Sequence, residues 1–172
     1  GEDTHGNLWI GSRLGIYVES TDGRFHTAAE WLGYATPFDQ TYVFDICCDK
    51  AGDVWIASNG QGILHIRTAD GTWRQYTRDN GMISDHVYCL QADDTGCIWA
   101  GTFADGLAVR IPSEGSFKAV SVFPNLENKG IGNIARDENG RMWITTNNSV
   151  FSFSPDSLGN PEPVSYTHLT LP

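Results

Sequence analysis

Four aspartates, Asp3, Asp49, Asp93 and Asp137, each stand three residues before a glycine, and Asp94 doubles the charge in the third copy. Carboxylates so placed suggest calcium. A calcium loop, however, gathers at least about six oxygen ligands from one closed loop, and each of these stretches offers one or two carboxylates. The better reading is a tight turn in which Asp bonds the turn's own backbone and Gly takes the positive-φ position. Gly130-x-Gly132-x-x-Ala135 spells a dinucleotide-binding fingerprint, which needs a strand before it and a helix after it. Here the surrounding pattern makes Ile131 to Ala135 a strand leading into the Asp137 turn. Asn147-Asn148-Ser149 spells a glycosylation sequon, a motif short enough to recur by chance. His5, His26, His65, His86 and His168 lack the H-E-x-x-H spacing of a helical zinc site. His65 alternates with apolar neighbours and reads as a satisfied structural histidine. No nucleophile elbow, Cys/His pairing or pair of catalytic carboxylates can be placed. The expectation is therefore no catalytic residue, no metal ligand and no cofactor.

The elements that position these residues come in a repeat. Each Asp-x-x-Gly is followed by x-x-Trp, and the tryptophans, Trp9, Trp55, Trp99 and Trp143, are 46, 44 and 44 residues apart. That is the period of a β-propeller blade. Before each of the last three turns lies a short apolar run, Val43–Ile46, Val87–Leu90 and Ile131–Ile134, which predicts the strand entering the hairpin. The Trp strand leaves it. Trp99 and Gly101 fall on one face and Ile98 and Ala100 on the other, so both faces are apolar, as stacked blades require. Third strands are predicted at 15–18, 62–66, 106–111 and 150–153, and fourth strands at Phe25, Trp73–Tyr76 and Phe117–Val120. The four cysteines, Cys47, Cys48, Cys89 and Cys97, are placed on strands, and none recurs at an equivalent repeat position. Cys89 is placed opposite roughly Ala100, too diagonal to Cys97 for a bridge. All four are read as small buried filler.

The predicted class is thus all-β: a fragment of a β-propeller with about four consecutive four-stranded antiparallel blades, the first and last incomplete. At 172 residues the chain is short for a closed ring of about four to eight blades. The blades are placed at about 1–41, 42–85, 86–129 and 130–157, with an unpaired inner edge in the first. An irregular tail covers 158–172. Val164–Pro172 resembles a translated sequencing adapter: the transposon mosaic end, read in one frame, encodes those nine residues in order. It is set aside from the functional argument. The connection from Thr27 to Tyr42 carries Trp31, Tyr34 and Phe38 and is read as a loop, either packed over a blade junction or serving as an aromatic platform for a sugar ring. The formal net charge of −10 argues against nucleic acid or an anionic membrane surface as partner.

In an up-and-down blade, alternate connections lie at opposite ends. All Asp-x-x-Gly turns share one end. The other end receives the loops between second and third strands, with Arg13, Asn59, Gln61, Phe103, Asp105 and Asn147, and the blade-to-blade loops, with Tyr34, Arg78, His86 and Lys129. These side chains vary between repeats while the turns do not, which makes them the candidate ligand-binding set, with Phe103 or Tyr34 as stacking surface.

The pattern apolar-x-x-apolar-x-x-Asp-x-x-Gly-x-x-Trp-Ile, followed by Gly-Ile or Gly-Leu, resembles the two-component regulator propeller repeat over about residues 1–154. Val87 to Leu107 is especially similar. The resemblance implies a seven-bladed propeller in the periplasmic sensor region of a hybrid two-component histidine kinase anchored in the inner membrane. It implies oligosaccharide sensing, the remaining blades and downstream sensor domains as partners, and a homodimeric parent. The alternatives are a propeller enzyme similar to streptogramin lyases, which share related Gly-x-x-Trp repeats, and a protein-interaction propeller.

Overall fold

A computed structural model describes residues 1–121, 126 and 128–155, and the backbone of 169–170. Its strands form four antiparallel meanders. The first contains β1 (Leu8–Ser12), β2 (Gly15–Glu19) and β3 (Phe25–Thr27). The second contains β4 (Val43–Cys48), β5 (Val54–Ser58), β6 (Ile63–Ile66) and β7 (Trp73–Tyr76). The third contains β8 (Val87–Ala92), β9 (Ile98–Thr102), β10 (Leu107–Arg110) and β11 (Lys118–Ala119). The fourth contains β12 (Ile131–Arg136), β13 (Met142–Thr146), β14 (Ser149–Phe153) and β15 (Leu169–Thr170), the last paired with β14 through Ser149–Thr170 and Val150–Leu169. The rest of the tail lies outside the described residues.

The repeated turn does more than close a hairpin. In each copy the Asp Oδ1 accepts the backbone N–H groups two and four residues on, at 2.8–3.0 Å. Its Oδ2 accepts the indole N–H of the Trp six residues on, at 2.8–2.9 Å. The Gly between them takes φ of 80–83°, where a side chain would be strained. One carboxylate thus fixes both the turn and the rotamer of the tryptophan that follows. Along this end Lys50, Asp94 and Arg136 link the second, third and fourth sheets, with Lys50 Nζ 2.5 Å from Asp94 Oδ1 and Arg136 paired to Asp94 Oδ2.

The core is a set of seams between sheets. Trp9 packs with Val43, Val54, Ile56, Leu64 and Ile66 of the second sheet. Trp55 packs with Val87, Leu90, Ile98 and Ala100 of the third, and Trp99 with Ile131, Met142, Ile144 and Phe153 of the fourth. Large Trp beside small Gly is needed at this distance, since a Cβ on Gly101 would lie 2.6 Å from Ile131 Cγ2 and 2.5 Å from Cys89 Sγ. Trp143, the equivalent residue of the fourth sheet, is 38% exposed.

Four expectations are corrected. The connection after Thr27 is not all loop: α1 (Ala28–Leu32) begins with a capping box in which Thr27 and Glu30 bond each other's backbone N–H, and it ends at Gly33 in the left-handed conformation. The inner edge of β1 is partly occupied, as Gly1 and Trp9 exchange hydrogen bonds and Glu2 bridges Leu8. Cys97 lies in the Asp93 turn rather than on a strand. Cys89 faces Gly101, not Ala100, because the Asp93 turn closes with Asp93 opposite Cys97 and sets the register that runs unbroken from Ala92–Ile98 to Cys89–Gly101. All four cysteines are free thiols. Burial pushes the Cys89 thiol up to about 12 and the Cys48 thiol up to about 11, which leaves them poor nucleophiles. Ile131 to Ala135 of the Gly130-x-Gly132-x-x-Ala135 stretch lies in strand β12, which runs into the Asp137 turn and not into a helix.

The clips at Asp3 and Asp137 predict acid sensitivity. Burial opposes ionisation of Asp3, but hydrogen bonds from Trp9, Asn7 and His5 outweigh it, and its pKa is lowered. The Trp143 indole lowers that of Asp137. A carboxyl with a depressed folded pKa binds fewer protons folded than unfolded. Its stabilisation is complete above its ordinary value and is lost as pH falls through the lowered one. Urea midpoints of the complete propeller are expected to fall steeply over that acidic window, and Asp3→Asn is expected to flatten the dependence. An unchanged slope in the variant would show that the clip does not titrate.

Candidate functional site

The ends of the sheets differ in chemistry. At the turn end the four repeat carboxylates, Asp3, Asp49, Asp93 and Asp137, are committed to backbone and indole groups. Asp49, Asp53 and His65 bring ligand-type atoms within 4.8 Å of one another, the only such group of three among the described residues. Asp49, however, is engaged by Ala51, Asp53 and Trp55. His65 Nε2 lies 2.9 Å from Asp53 Oδ2 while its ring stacks on Trp55 at 3.7 Å. Burial lowers the His65 pKa, and Arg110 lies 5.1 Å over the other partner of that stack, Trp55. A cation already occupies the neighbourhood, and His65 is the hydrogen-bonded structural residue expected. A cavity of about 400 Å³ at this end is lined by Asp3, Asn7, Trp9, Trp31 and Leu32. Its polar wall is spent internally, since both oxygens of Asp3 accept Asn7 Nδ2.

At the opposite end the loops of one blade lean on the next. Asn59 forms an isolated bridge with His86, and its Oδ1 lies 2.8 Å from His86 Nδ1. Gly60 and Gly62 both donate to the Asp85 carbonyl. Arg78 meets Asp105 at 2.7 Å, and the Asp105 pKa is lowered by Ser84 first and Arg78 next. Gln61 accepts from Gln75 through its carbonyl and its side chain. Arg13 is exposed, with its guanidinium 5.5 Å over the ring of Tyr42. Lys129 and Asn147 line one cleft of about 330 Å³ together with Asn128, Gly130, Thr146 and Asn148. Phe103 is 57% exposed, and its ring lies 5.3 Å from that of Tyr88.

Nine of the ten candidate residues therefore lie at this end. Tyr34 does not. It lines a shallow recess with Asp70, Gly71, Thr72 and Trp73, in the loop between β6 and β7. That loop is at the turn end, where Thr68 Oγ1 donates to the Gly52 carbonyl. Helix α1 is the cause: it folds the connection back, so that Trp31 and Leu32 also reach turn-end residues. Of the three aromatics in that connection, Phe38 is fully buried and serves packing.

Three residues at the loop end escaped the sequence reading: Tyr42, Phe44 and Tyr88. Phe44 and Tyr88 sit one period apart at the β-bulges of β4 and β8. Superposing the repeats places both beside Gly132, and that coincidence of two aromatics was the available signal.

Within this framework the comparisons with known proteins are specific. The two-component regulator propeller model matches residues 37–60, 81–104 and 125–148, each running from a blade-to-blade loop through the inner strand and the Asp turn to the Trp strand. This chain carries two-component regulator propeller repeats. No curated protein sequence gives a significant match. Among solved structures the propeller is similar to the extracellular domain of the hybrid two-component system BT3049 from B. thetaiotaomicron, with a TM-score of 0.76 and 23% identity over 99% of this chain and 22% of that one. The extracellular domain of BT4673 from the same organism gives 0.70 and 20% over 96% and 21%. Virginiamycin B lyase from Staphylococcus aureus, in a structure with quinupristin, gives 0.73 and 17% over 100% and 54%. At these identities the likeness is one of fold. This regulator propeller segment spans about a fifth of the two extracellular domains and about half of the lyase. Among its described residues no helix is long and apolar enough to cross a membrane.

Proposed function

We propose that this chain is a ligand-sensing segment of the periplasmic region of a hybrid two-component histidine kinase, and that it binds oligosaccharides at the loop end. The observation that carries the reading is the contrast between the ends. The Asp–Trp clip is the same in all four repeats and spends its polar groups internally, whereas Arg13, Asn59, Phe103 and Asn147 stand at equivalent loop positions and differ in every blade but two. A rigid scaffold with variable loops is how recognition is placed on a repeat fold. The parent's further blades would cover Trp143, and its downstream domains would carry the signal. A lyase-like reading has less support. His86 is bonded to Asn59 and Asp105 to Arg78, which leaves no free His–carboxylate pair among the described residues at this end.

Calorimetry on the complete sensor region, with glycans that induce the neighbouring genes, tests the reading. Arg13→Ala and Asp105→Ala are expected to weaken binding by roughly three- to tenfold each, with Lys50→Ala and Glu138→Ala on the turn end neutral. The reverse pattern would put the site on the other face.

A further inference from the structure

Tyr42, Phe44, Tyr88 and Phe103 form one continuous line of rings across the second and third sheets. The successive centroid distances are 4.6, 4.5 and 5.3 Å, and each pair is inclined by 51–62°. Phe44 and Phe103 are 37% and 57% exposed. Phe44 and Tyr88 do not belong to the seams between sheets. They occupy the extra positions of the bulges in β4 and β8, the innermost strands. A bulge re-aims one side chain out of the alternation of its strand, here away from the buried seams. Large exposed apolar surface is unusual unless something binds there.

The geometry points to a sugar-stacking track: oligosaccharide units lie with their C–H faces on Phe44, Tyr88 and Phe103, and their hydroxyls meet the polar groups beside the rings. This rests on the oligosaccharide-sensing reading above and deepens it by naming the surface. The chemistry of the flanks selects the occupant. Arg13 stands at the Tyr42 end, and the Asn59–His86 pair lies beside the track. Beyond Phe103, whose carbonyl abuts Gly130, the cleft presents Lys129, Asn147 and Asn148. An apolar partner would desolvate Arg13, Lys129 and Asn147 without offering them hydrogen bonds, whereas a sugar ring offers an apolar face and a hydroxyl rim together. The rings also hold one another in place, so little side-chain freedom is lost on binding. The track stops at the fourth sheet because the equivalent bulge residue there is Gly132, exposed, with only Thr145 within ordinary contact of an added Cβ.

The test uses the complete sensor region, a glycan microarray to choose the strongest-binding glycan, and calorimetry with that glycan. Phe44→Ser and Tyr88→Ser are each expected to weaken binding roughly tenfold, while Tyr34→Ser on the turn end leaves it unchanged. Gly132→Tyr, which continues the track by one ring, is expected to strengthen binding several-fold. Affinities within twofold of the parent in both serine variants, with parental urea midpoints, overturn the track and leave oligosaccharide sensing in place. Should the serine variants fail to fold, Gly132→Tyr decides, and unchanged affinity counts against the track. A microarray on which no glycan binds overturns the track and the sensing reading together.

Discussion

Trp99→Ala is expected to lower the stability of the complete propeller by on the order of 3–5 kcal/mol, the usual cost of emptying a large buried aromatic site. Trp99 is 1% exposed and lies 5.0 Å from Phe153 in the seam between the third and fourth sheets. The truncation also strips Asp93, itself buried, of the indole N–H that its Oδ2 accepts at 2.8 Å. Trp99→Phe separates the two contributions, since it keeps most of the ring volume and loses the donor. Trp143→Ala, at the equivalent position that the parent's next blade would cover, should cost an amount similar to Trp99→Ala in the complete propeller. Urea unfolding of the complete sensor region measures all three. A loss below about 1 kcal/mol for Trp99→Ala would mean that the seam does not depend on its tryptophan.

The second large effect concerns space rather than burial. Gly62 has φ of 69°, and a Cβ there would lie 2.0 Å from the Tyr76 carbonyl oxygen and 3.0 Å from its carbon. Its N–H donates to the Asp85 carbonyl, and its own carbonyl accepts from Ser58, so the loop cannot shift without breaking contact with the next blade. Gly62→Ala is expected to cost on the order of 3–5 kcal/mol, combining left-handed strain with a backbone clash. Gly60→Ala is the control. Its φ is 89°, but the nearest atom to an added Cβ is His86 Cε1 at 3.5 Å, so only the strain of about 1 kcal/mol remains. Equal losses in the two variants would show that the close approach to Tyr76 is relieved by movement.

The strands were legible because the repeat states them four times. Asp, Gly and Trp at fixed offsets located each hairpin, and apolar runs on both sides of it located the strands. The indole-to-carboxylate bond was not legible, although the constant six-residue offset is its trace, because spacing shows where two groups stand and not whether their side chains turn toward each other. Helix α1 was missed although Thr27-Ala28-Ala29-Glu30 spells its capping box. The segment occurs once, and a reading tuned to the 44-residue period treats whatever does not repeat as loop. Tyr34 was misplaced for the same reason, since the helix reverses the direction that strand order assigns to that connection. The candidate face itself followed from strand alternation, which fixes the end of the sheet for every residue in a short loop. The aromatic line did not follow, because a bulge changes the face of one residue and leaves no mark in hydrophobic alternation.

Each seam between sheets holds its own tryptophan, Trp9, Trp55 or Trp99, tied to its own carboxylate. Coupling in such an array runs between nearest neighbours, so a disturbance at one junction reaches a distant junction only through the blades between them. The protein thereby contains a row of built-in optical reporters. With the other tryptophans replaced by phenylalanine, the emission of each remaining indole follows the opening of one junction. Whether ligand contact at the rim propagates around the ring or stops at the nearest junction then becomes a spectroscopic question.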